Sequence, residues 1–534
     1  MLPAIIRPKG PPRYRSVLLG HGLMPSDLMQ RSLEICDQIT DLNAFTSLRK
    51  SDDLKAEAKK ATRRWRQVEN KSPIDGMTIA VKDNFCWVGH PTTCGSRMLQ
   101  DFVPTYNATV VQKLVNAGAI ILGKTNMDEF GMGSGGTDSI FGPTKNWWRS
   151  GLAYEVSNWN DERLPGIETG RVDSGATDDW FISGGSSGGS AVAVASGACF
   201  ASLGSDTGGS VRIPGAWHGL VTLKPTYGSL SRHGLIPLVN SMDVPGVMAK
   251  SVEDVQLVFG VIRGVDPMDS TTVIPPFKDE PPKSVEGLKI GIPQEYHCDG
   301  MSEEVLQTWS DVADVLENAG AQVKQVSLPH TPYSIVCYSV LNPSEVSSNM
   351  ARYDGLEYGL RTEQNRSTEA LFAENRHLGF NEVVRGRILS GNYFLLKENY
   401  QEFFGQALKV RRLVQRDFVN VWSDDVDLLL TPVTLTTSPT FREFSSLDNR
   451  TQTTKQDHCT QPANLAGLPA LTIPVKLSES SSLPLSVQLI GPRFSEDTLF
   501  NLGTWLEKHL QFPNFGLTSM RIEKEITGND RRRK

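Results

Sequence analysis

Between Gly184 and Ser210 the chain reads GGSSGGSAVAVASGACFASLGSDTGGS, and this window restricts the folds open to it more than any other. Two Gly/Ser-rich turns bracket Ala191 to Ala198 and Phe200 to Leu203, which read as a small-residue helix and a short buried strand. A flexible linker would not alternate with buried elements in this way. Turns without Cβ atoms let backbone amides approach a ligand, so each is a candidate anion nest. A phosphate loop would place lysine after the glycines, whereas Ser190 follows Gly188-Gly189 and Ser210 follows Gly208-Gly209. A nucleotide is therefore disfavoured.

The flanking chain supports an α/β class. Met77 to Val81 reads as a buried strand, Thr109 to Ala117 as a helix stopped by Gly118, and Ile120 to Leu122 as the next strand. A second unit repeats the pattern: strand-like Leu288 to Ile292, helical spacing from Val305 to Leu316, Gly320, then strand-like Val323 to Leu328. Alternation of this kind predicts one large domain over 26–507 with a large mixed, mostly parallel sheet flanked by helices. The Pro-rich, charged stretch from Asp266 to Ser284 suggests the start of a peripheral lobe over about 265–440. Ser26 is positioned to cap a first helix, a charged second helix follows from Ser51, and 508–534 reads as a tail. The stretch 148–179 has no hydrophobic period between two well-patterned flanks, and is expected to be an inserted surface loop.

Composition excludes several classes. With 54 basic and 60 acidic residues the net charge is −6, so no global footprint for nucleic acid exists. The seven cysteines are scattered and never spaced C-x-x-C, which argues against a disulfide framework and against a zinc site. No apolar run approaches the roughly 18 to 20 residues that span a bilayer. Arg7, Lys9, Arg13 and Arg15 precede the first acidic residue, Asp27. This is the charge bias of an organellar transit peptide, although serine is scarce and an ordinary frayed terminus over 1–25 fits as well.

A serine nucleophile needs a base, and the usual one is histidine. His90, His218 and His233 stand in settings that mark none of them. Lysine serves if burial lowers its pKa from about 10.4 toward neutrality. Lys82 closes the apolar run Ile79-Ala80-Val81, where a charged side chain is either used or snorkels to the surface.

AVKDN at 80–84, GGSSGGS at 184–190, GSDTGGSVR at 204–212 and GLVTLKPTYG at 219–228, in this order, resemble the amidase signature family. The resemblance covers about residue 26 to about 507. It implies that Ser210, closing D-T-G-G-S, is the nucleophile, that Ser186, on a cis peptide, is the bridging serine, and that Lys82 is the base. A neutral amine then takes a proton from Ser186 while Ser186 takes one from Ser210. The backbone amides of Thr207, Gly208, Gly209 and Ser210 are expected to form the oxyanion hole, where one donor typically contributes about 3–4 kcal/mol. No metal is expected.

DLNAF at 41–45, GKTNMDEFGMGS at 123–134, FGPTKN at 141–146, KPTYGSLSRHGLIP at 224–237, QPANLAGLPALTIPV at 461–475 and QLIGPRFSEDTL at 488–499 narrow the likeness. They resemble members that hydrolyse glutamine to supply ammonia for tRNA-dependent amidation. By that resemblance Asp457 meets the α-ammonium of glutamine and Arg387 its α-carboxylate, with Arg385 as the alternative because Gly386 separates the two arginines. Also implied are a B subunit using ATP and Mg, a small C- or F-type subunit, and contact with tRNA only through the complex. This chain itself would need no cofactor and no membrane, and would reside in the mitochondrial matrix, with the cytoplasm as alternative. A free-standing amidase for another small or lipid amide and a catalytically silent scaffold are the rival readings.

Two departures from the family pattern stand out: the insertion between Lys82 and the serine pair, and the altered Ile213-Pro214-Gly215 after the nucleophile. Neither removes a catalytic group. Deleting residues 150–178 is expected to leave the melting midpoint and the chemistry unchanged. An unfolded variant in a thermal melt would show that the segment is packed structure instead.

Overall fold

Every residue of Thr78–Lys82 is buried, which requires covering layers on both faces and a neighbouring strand along each edge. The computed structural model, which describes residues 23–148, 179–275, 284–364, 366–510 and 512–513, supplies both. Among these residues one sheet contains β1 (Phe45–Leu48), β2 (Thr78–Lys82), β3 (Ile120–Thr125), β4 (Ala201–Asp206), β5 (Val221–Lys224), β6 (Val244–Ala249), β7 (Lys289–Pro293), β8 (Gln322–Val326), β9 (Leu428–Pro432), β10 (Ala470–Leu477) and β11 (Pro484–Ile490). Their spatial order is β1-β3-β2-β4-β6-β5-β10-β11-β9-β7-β8. Ile79 and Val81 enter one hydrophobic core and Ala80 the other, as the two-residue period of a strand demands.

The β2–β3 connection shows how local chemistry builds the sheet. Val110, Val111 and Leu114 bury one face of the Thr109–Asn116 helix. Gly118 then turns the chain at φ +89°, where a Cβ would fall on the Asp75 carboxylate. That carboxylate is held in place by Arg64, whose Nε donates to Oδ2 at 2.9 Å. β3 and β4 both pair parallel with β2, so the carboxyl ends of β2 and β4 emerge along the same edge of the sheet.

The sheet is mixed and flanked by helices as expected, but the expectation of mostly parallel pairing needs correction. Four of its ten ladders are parallel and six antiparallel. Helix-bridged parallel units leave a clear pattern in sequence, whereas strands that return directly, such as β10 into β11, do not. The segment read as a peripheral lobe contributes β7, β8 and β9 to this same sheet, with β9 antiparallel to β11. Its described residues also include the helices Glu303–Asn318, Ser334–Met350, Thr368–Gly379, Glu382–Leu395 and Gln406–Ser423.

The first helix starts at Pro25 rather than after Ser26, and the Asp27 carboxylate accepts the Met24 N–H at 2.9 Å. The expected insertion lies almost wholly outside the described residues, as do 1–22 and 514–534. Its flanks are joined by a bridge between Lys145 and Ile182, and Trp180 stacks on Phe441 with centroids 4.7 Å apart. Among the described residues no helix is long and apolar enough to cross a membrane, and no group of side chains is arranged to hold a metal.

The helices Ser334–Met350 and Glu382–Leu395 pack so closely that a Cβ at Gly391 would fall on the Pro343 carbonyl oxygen. Gly386, one turn earlier on the same helix, has nothing within 4 Å of its would-be Cβ. Opposite signs follow. Gly391→Ala should destabilise by about 1–3 kcal/mol through overpacking, and Gly386→Ala should stabilise by about 0.5–1 kcal/mol through helix propensity. Calorimetric midpoints of the two variants check this, and a shift of the same sign in both would contradict the difference in packing.

Candidate active site

Lys82 ends β2 fully buried, with its Nζ 2.7 Å from Ser186 Oγ, 2.9 Å from Ser187 Oγ and 3.0 Å from Ser205 Oγ. No carboxylate of the described residues pairs with it at ion-pair distance. Burial therefore dominates and lowers the amine pKa to about 7, although Asp128 and Asp206 at longer range oppose the shift. Ser187 Oγ donates to the Ser205 carbonyl at 3.3 Å, and Ser205 Oγ accepts from Asn84 Nδ2 at 2.9 Å. Both hydroxyls thus offer lone pairs to the two N–H bonds of a neutral amine. A neutral amine held in this way has its lone pair left for the Ser186 hydroxyl, the arrangement that a base requires.

Ser186 follows a cis peptide bond from Gly185 and is buried. A Cβ at Gly131 would stand 3.5 Å from Ser186 Oγ, so the 129–131 turn walls this hydroxyl. Gly185 in turn lies against Asp128, whose carboxylate accepts the N–H groups of Gly136 and Asp138 at 3.1 and 3.0 Å. The half-exposed Ser210 closes the turn after β4, and its carbonyl accepts the Ser187 N–H at 3.2 Å. The two Gly/Ser turns are thereby joined, backbone to backbone.

That second turn is clamped. Asp206 and Arg212, both fully buried, pair through Nε–Oδ2 at 3.1 Å and Nη2–Oδ1 at 3.0 Å. Burial alone would raise the Asp206 pKa, but Arg212 brings it down to about 2. Arg212 also donates to the Thr460 carbonyl, to Gln488 and to Asn464, which ties the turn to β11 and to the segment before β10. Thr207 Oγ donates to Asp243 at 2.7 Å, and Thr460 Oγ donates to the Gly208 carbonyl at 2.6 Å. With that carbonyl fixed, the Gly209 N–H points the opposite way across its planar peptide. Gly209 has φ +146°, and a Cβ there would crowd Thr460 and Ile213.

Arg387 and Asp457 approach the same turn from the helical side. A Cβ at Gly208 would lie 2.8 Å from Asp457 Oδ2 and 3.1 Å from Tyr338 Oη. Arg387 Nη1 donates to Asn342 Oδ1 at 3.0 Å, and Asn342 Nδ2 donates to Tyr338 Oη at 2.9 Å. Burial pushes the Asp457 carboxyl up to about 8, with Arg387 opposing. Arg385 is engaged elsewhere, its Nη1 donating to the carbonyls of His377 and Phe380 at 2.8 and 2.9 Å. Sequence reasoning did not single out Asn84, Ser187, Ser205, Asp128, Tyr338 or Asn342. Asn84 and Ser187 lie inside motifs already noted, while Tyr338 and Asn342 show only an i, i+4 spacing that many helices share.

Comparison with known proteins gives a consistent answer. The family model described as Amidase matches residues 27–153 and 170–500, leaving part of the expected insertion outside the match. The A subunit of mitochondrial glutamyl-tRNA(Gln) amidotransferase from Ixodes scapularis is 52% identical over 500 residues, covering 92% of this chain and 94% of its own. The protein of the same name from Bos taurus is 51% identical over 505 residues, covering 94% of each. Among solved structures, the glutamyl-tRNA(Gln) amidotransferase A subunit of Thermotoga maritima matches with a TM-score of 0.71 at 34% identity, over 95% of this chain and 97% of that one. The native peptide amidase of Stenotrophomonas maltophilia matches with a TM-score of 0.72 at 25% identity, over 95% and 97%.

Titration of Lys82 gives a test that needs no substrate. The neutral amine, the form able to take a proton, grows as pH rises through about 7. If Ser210 is the nucleophile and Lys82 its base, phosphonylation of Ser210 by a fluorophosphonate, with loss of fluoride, should accelerate about tenfold per pH unit below that value and level off above it. Lys82→Met should slow the labelling and flatten the profile; a profile unchanged by that substitution would mean another group is the base.

Proposed function

The chain belongs to the amidase family, and from that premise we propose that it is the glutamine-hydrolysing subunit of a glutamyl-tRNA(Gln) amidotransferase, releasing ammonia for conversion of Glu-tRNA(Gln) to Gln-tRNA(Gln). The observation that carries the reading is a juxtaposition. A buried amine and serine hydroxyls lie on one side of the 206–210 turn, and a buried carboxylate with an arginine lies on the other. An amide substrate with an α-ammonium and an α-carboxylate uses both halves. High identity to the A subunits of Ixodes scapularis and Bos taurus across more than nine-tenths of the chain supports the same assignment.

In this reading Ser210 Oγ attacks the side-chain carboxamide carbon, its proton passes to Ser186 Oγ, and the Ser186 proton passes to neutral Lys82. The amides of Thr207, Gly208, Gly209 and Ser210 receive the developing oxyanion. Collapse of the tetrahedral intermediate breaks the C–N bond, and the proton returns along the relay so that ammonia leaves. Water then attacks the acyl ester, with the same relay acting as base, and glutamate departs. Asp457 takes the α-ammonium, a cation that favours the charged form of this buried carboxyl, and Arg387 takes the α-carboxylate.

The complex would hold a B subunit carrying the ATP- and Mg-dependent amidation, and a small C- or F-type subunit, with tRNA reached only through them. Relatives named as mitochondrial and the basic stretch Arg7 to Arg15 support a location in the mitochondrial matrix. Copurification followed by glutaminase assays with and without Glu-tRNA(Gln) and ATP tests the assignment. Glutaminase activity stimulated by both is the expected result. Activity on other amides without any tRNA effect would make the protein a free-standing amidase, and no activity in any assembly would make it a scaffold.

Asp457→Asn should mainly raise the glutamine KM, because its contact exists in ground and transition states alike. Loss of one charge-assisted hydrogen bond costs about 2–3 kcal/mol, or roughly 30- to 150-fold. Ammonia-dependent amidation in the assembled complex should survive, since it bypasses this pocket. A glutamine KM within about twofold of the parent would remove Asp457 from the substrate's partners.

A further inference from the structure

Glu129 is 2% exposed and lies two residues before Gly131, which walls Ser186. Its carboxylate does not point at the serines. Oε2 accepts the backbone N–H of Asn381 at 2.8 Å, and Oε1 accepts the Ser96 hydroxyl, an oxygen that also lies 3.0 Å from the Gly379 carbonyl. The corner from Gly379 to Asn381 closes the Thr368–Gly379 helix and opens the Glu382–Leu395 helix. Asn381 is the N-cap of that second helix, its side chain accepting the Val384 N–H at 2.9 Å. Arg387 sits six residues beyond the cap.

The neighbouring contacts reinforce the same corner. Phe130 packs its ring 5.2 Å from Tyr353 and 5.6 Å from Phe380, and the Phe130 N–H donates to the Cys94 carbonyl at 2.8 Å. Arg385 ties the His377 and Phe380 carbonyls from the other side. One short turn, Asp128 to Gly131, therefore passes beside the Ser186 hydroxyl at Gly131 and holds the start of the Arg387 helix through Glu129. The two groups must keep a fixed separation if one substrate is to reach both, and a misplacement of about 1 Å is enough to cost activity.

We propose that Glu129 is a positioning residue that holds the Arg387-bearing helix in register with Ser186, and so sets the affinity for the amino-acid end of the substrate. The inference rests on the glutaminase reading above. Glu129 touches neither substrate nor reacting atoms, so its loss acts on ground-state binding through Arg387 more than on the chemical step.

The test compares Glu129→Ala, Glu129→Gln, Asn381→Ala and Asn381→Pro in the full chain within its purified complex, with glutamine KM and kcat measured separately. Glu129→Ala removes both acceptors, and the glutamine KM should rise about tenfold or more with kcat changed less than about threefold. The amide of Glu129→Gln still offers a carbonyl to the Asn381 N–H, and its NH2 group donates to Ser96, whose hydroxyl remains free to donate to Gly379. It should bring KM back to within about threefold of the parent. Measured against Asn381→Ala, which loses only the side-chain cap to Val384, Asn381→Pro deletes the N–H as well, at φ −72°, which proline adopts. It should reproduce the KM defect, and combining it with Glu129→Ala should add little, as members of one interaction do.

A KM unchanged in both Glu129→Ala and Asn381→Pro would overturn the proposal, as would a fall in kcat without a rise in KM, or a Gln variant as impaired as the Ala variant. If Glu129→Ala does not fold, the difference between Asn381→Pro and Asn381→Ala decides the matter through the same KM and kcat readings. A parent complex without glutaminase activity would instead sink the functional reading on which this inference stands.

Discussion

A lysine buried without a carboxylate partner is the constraint around which this site is built. Taking an ammonium out of water costs several kcal/mol even after the surroundings relax, so the group gives up its proton more readily than the same side chain in solvent. Lys82 is in that position because β2 is buried along its whole length and because three hydroxyls, not a carboxylate, meet its nitrogen. Hydroxyls satisfy the amine without restoring the charge. A small residue is needed in the 185–187 turn: a Cβ at Gly185 would fall on the Asp128 carboxylate and the backbone of Gly135 and Gly136. The parallel pairing of β2 with β4 then places Ser205 and Asp206 at the same sheet edge as Lys82.

Strand-ending lysines show how much of this was legible in the sequence. IAVK at 79–82, IILGK at 120–124 and VTLK at 221–224 all read as apolar strands closing on a lysine, and all three lysines are fully buried. Lys124 pairs with Asp83 at 2.9 Å, and Lys224 donates to the Pro225 carbonyl with Arg212 and Glu496 nearby. Burial lowers Lys224 to about 7 as well, so neither burial nor a low pKa identifies a base. What separates Lys82 is the set of atoms it meets, which belong to residues more than a hundred positions away. Only the motif order AVKDN, GGSSGGS, GSDTGGSVR carried that long-range information in one dimension.

Local signals fared well wherever a helix and a strand alternate. The Thr109–Asn116 helix, the Gly118 stop and β3, and likewise the Glu303–Asn318 helix, Gly320 and β8, lie within a few residues of where periodicity puts them. The antiparallel half was not legible, because β5 returns into β6 and β10 into β11 without a crossover helix, and the β4–β6 and β5–β10 partners are set by packing. The same blindness hid the strands that 265–440 adds to the sheet. A Pro-rich break in composition marks a change at the surface, whereas β7 pairs with β9 across more than a hundred residues to extend the sheet. The different surroundings of Arg385 and Arg387 also needed the fold: one side chain turns back to its own helix corner and the other toward Asn342.

The site draws its two halves from different structural sources, and this division has a mechanical consequence. The amine, the serines and the Asp206–Arg212 clamp sit on sheet ends and the turns tied to them, where backbone ladders and a buried ion pair fix positions closely. Arg387, Asn342 and Tyr338 sit on helices of the 334–423 layer, packed against each other at Gly391. The hydrogen bonds of Lys82 run to Ser186, Ser187 and Ser205 and not to the helical layer. Gly208, however, lies against both Asp457 and Tyr338, and its carbonyl is fixed by Thr460, so any shift of the helical layer bears directly on the 206–210 turn.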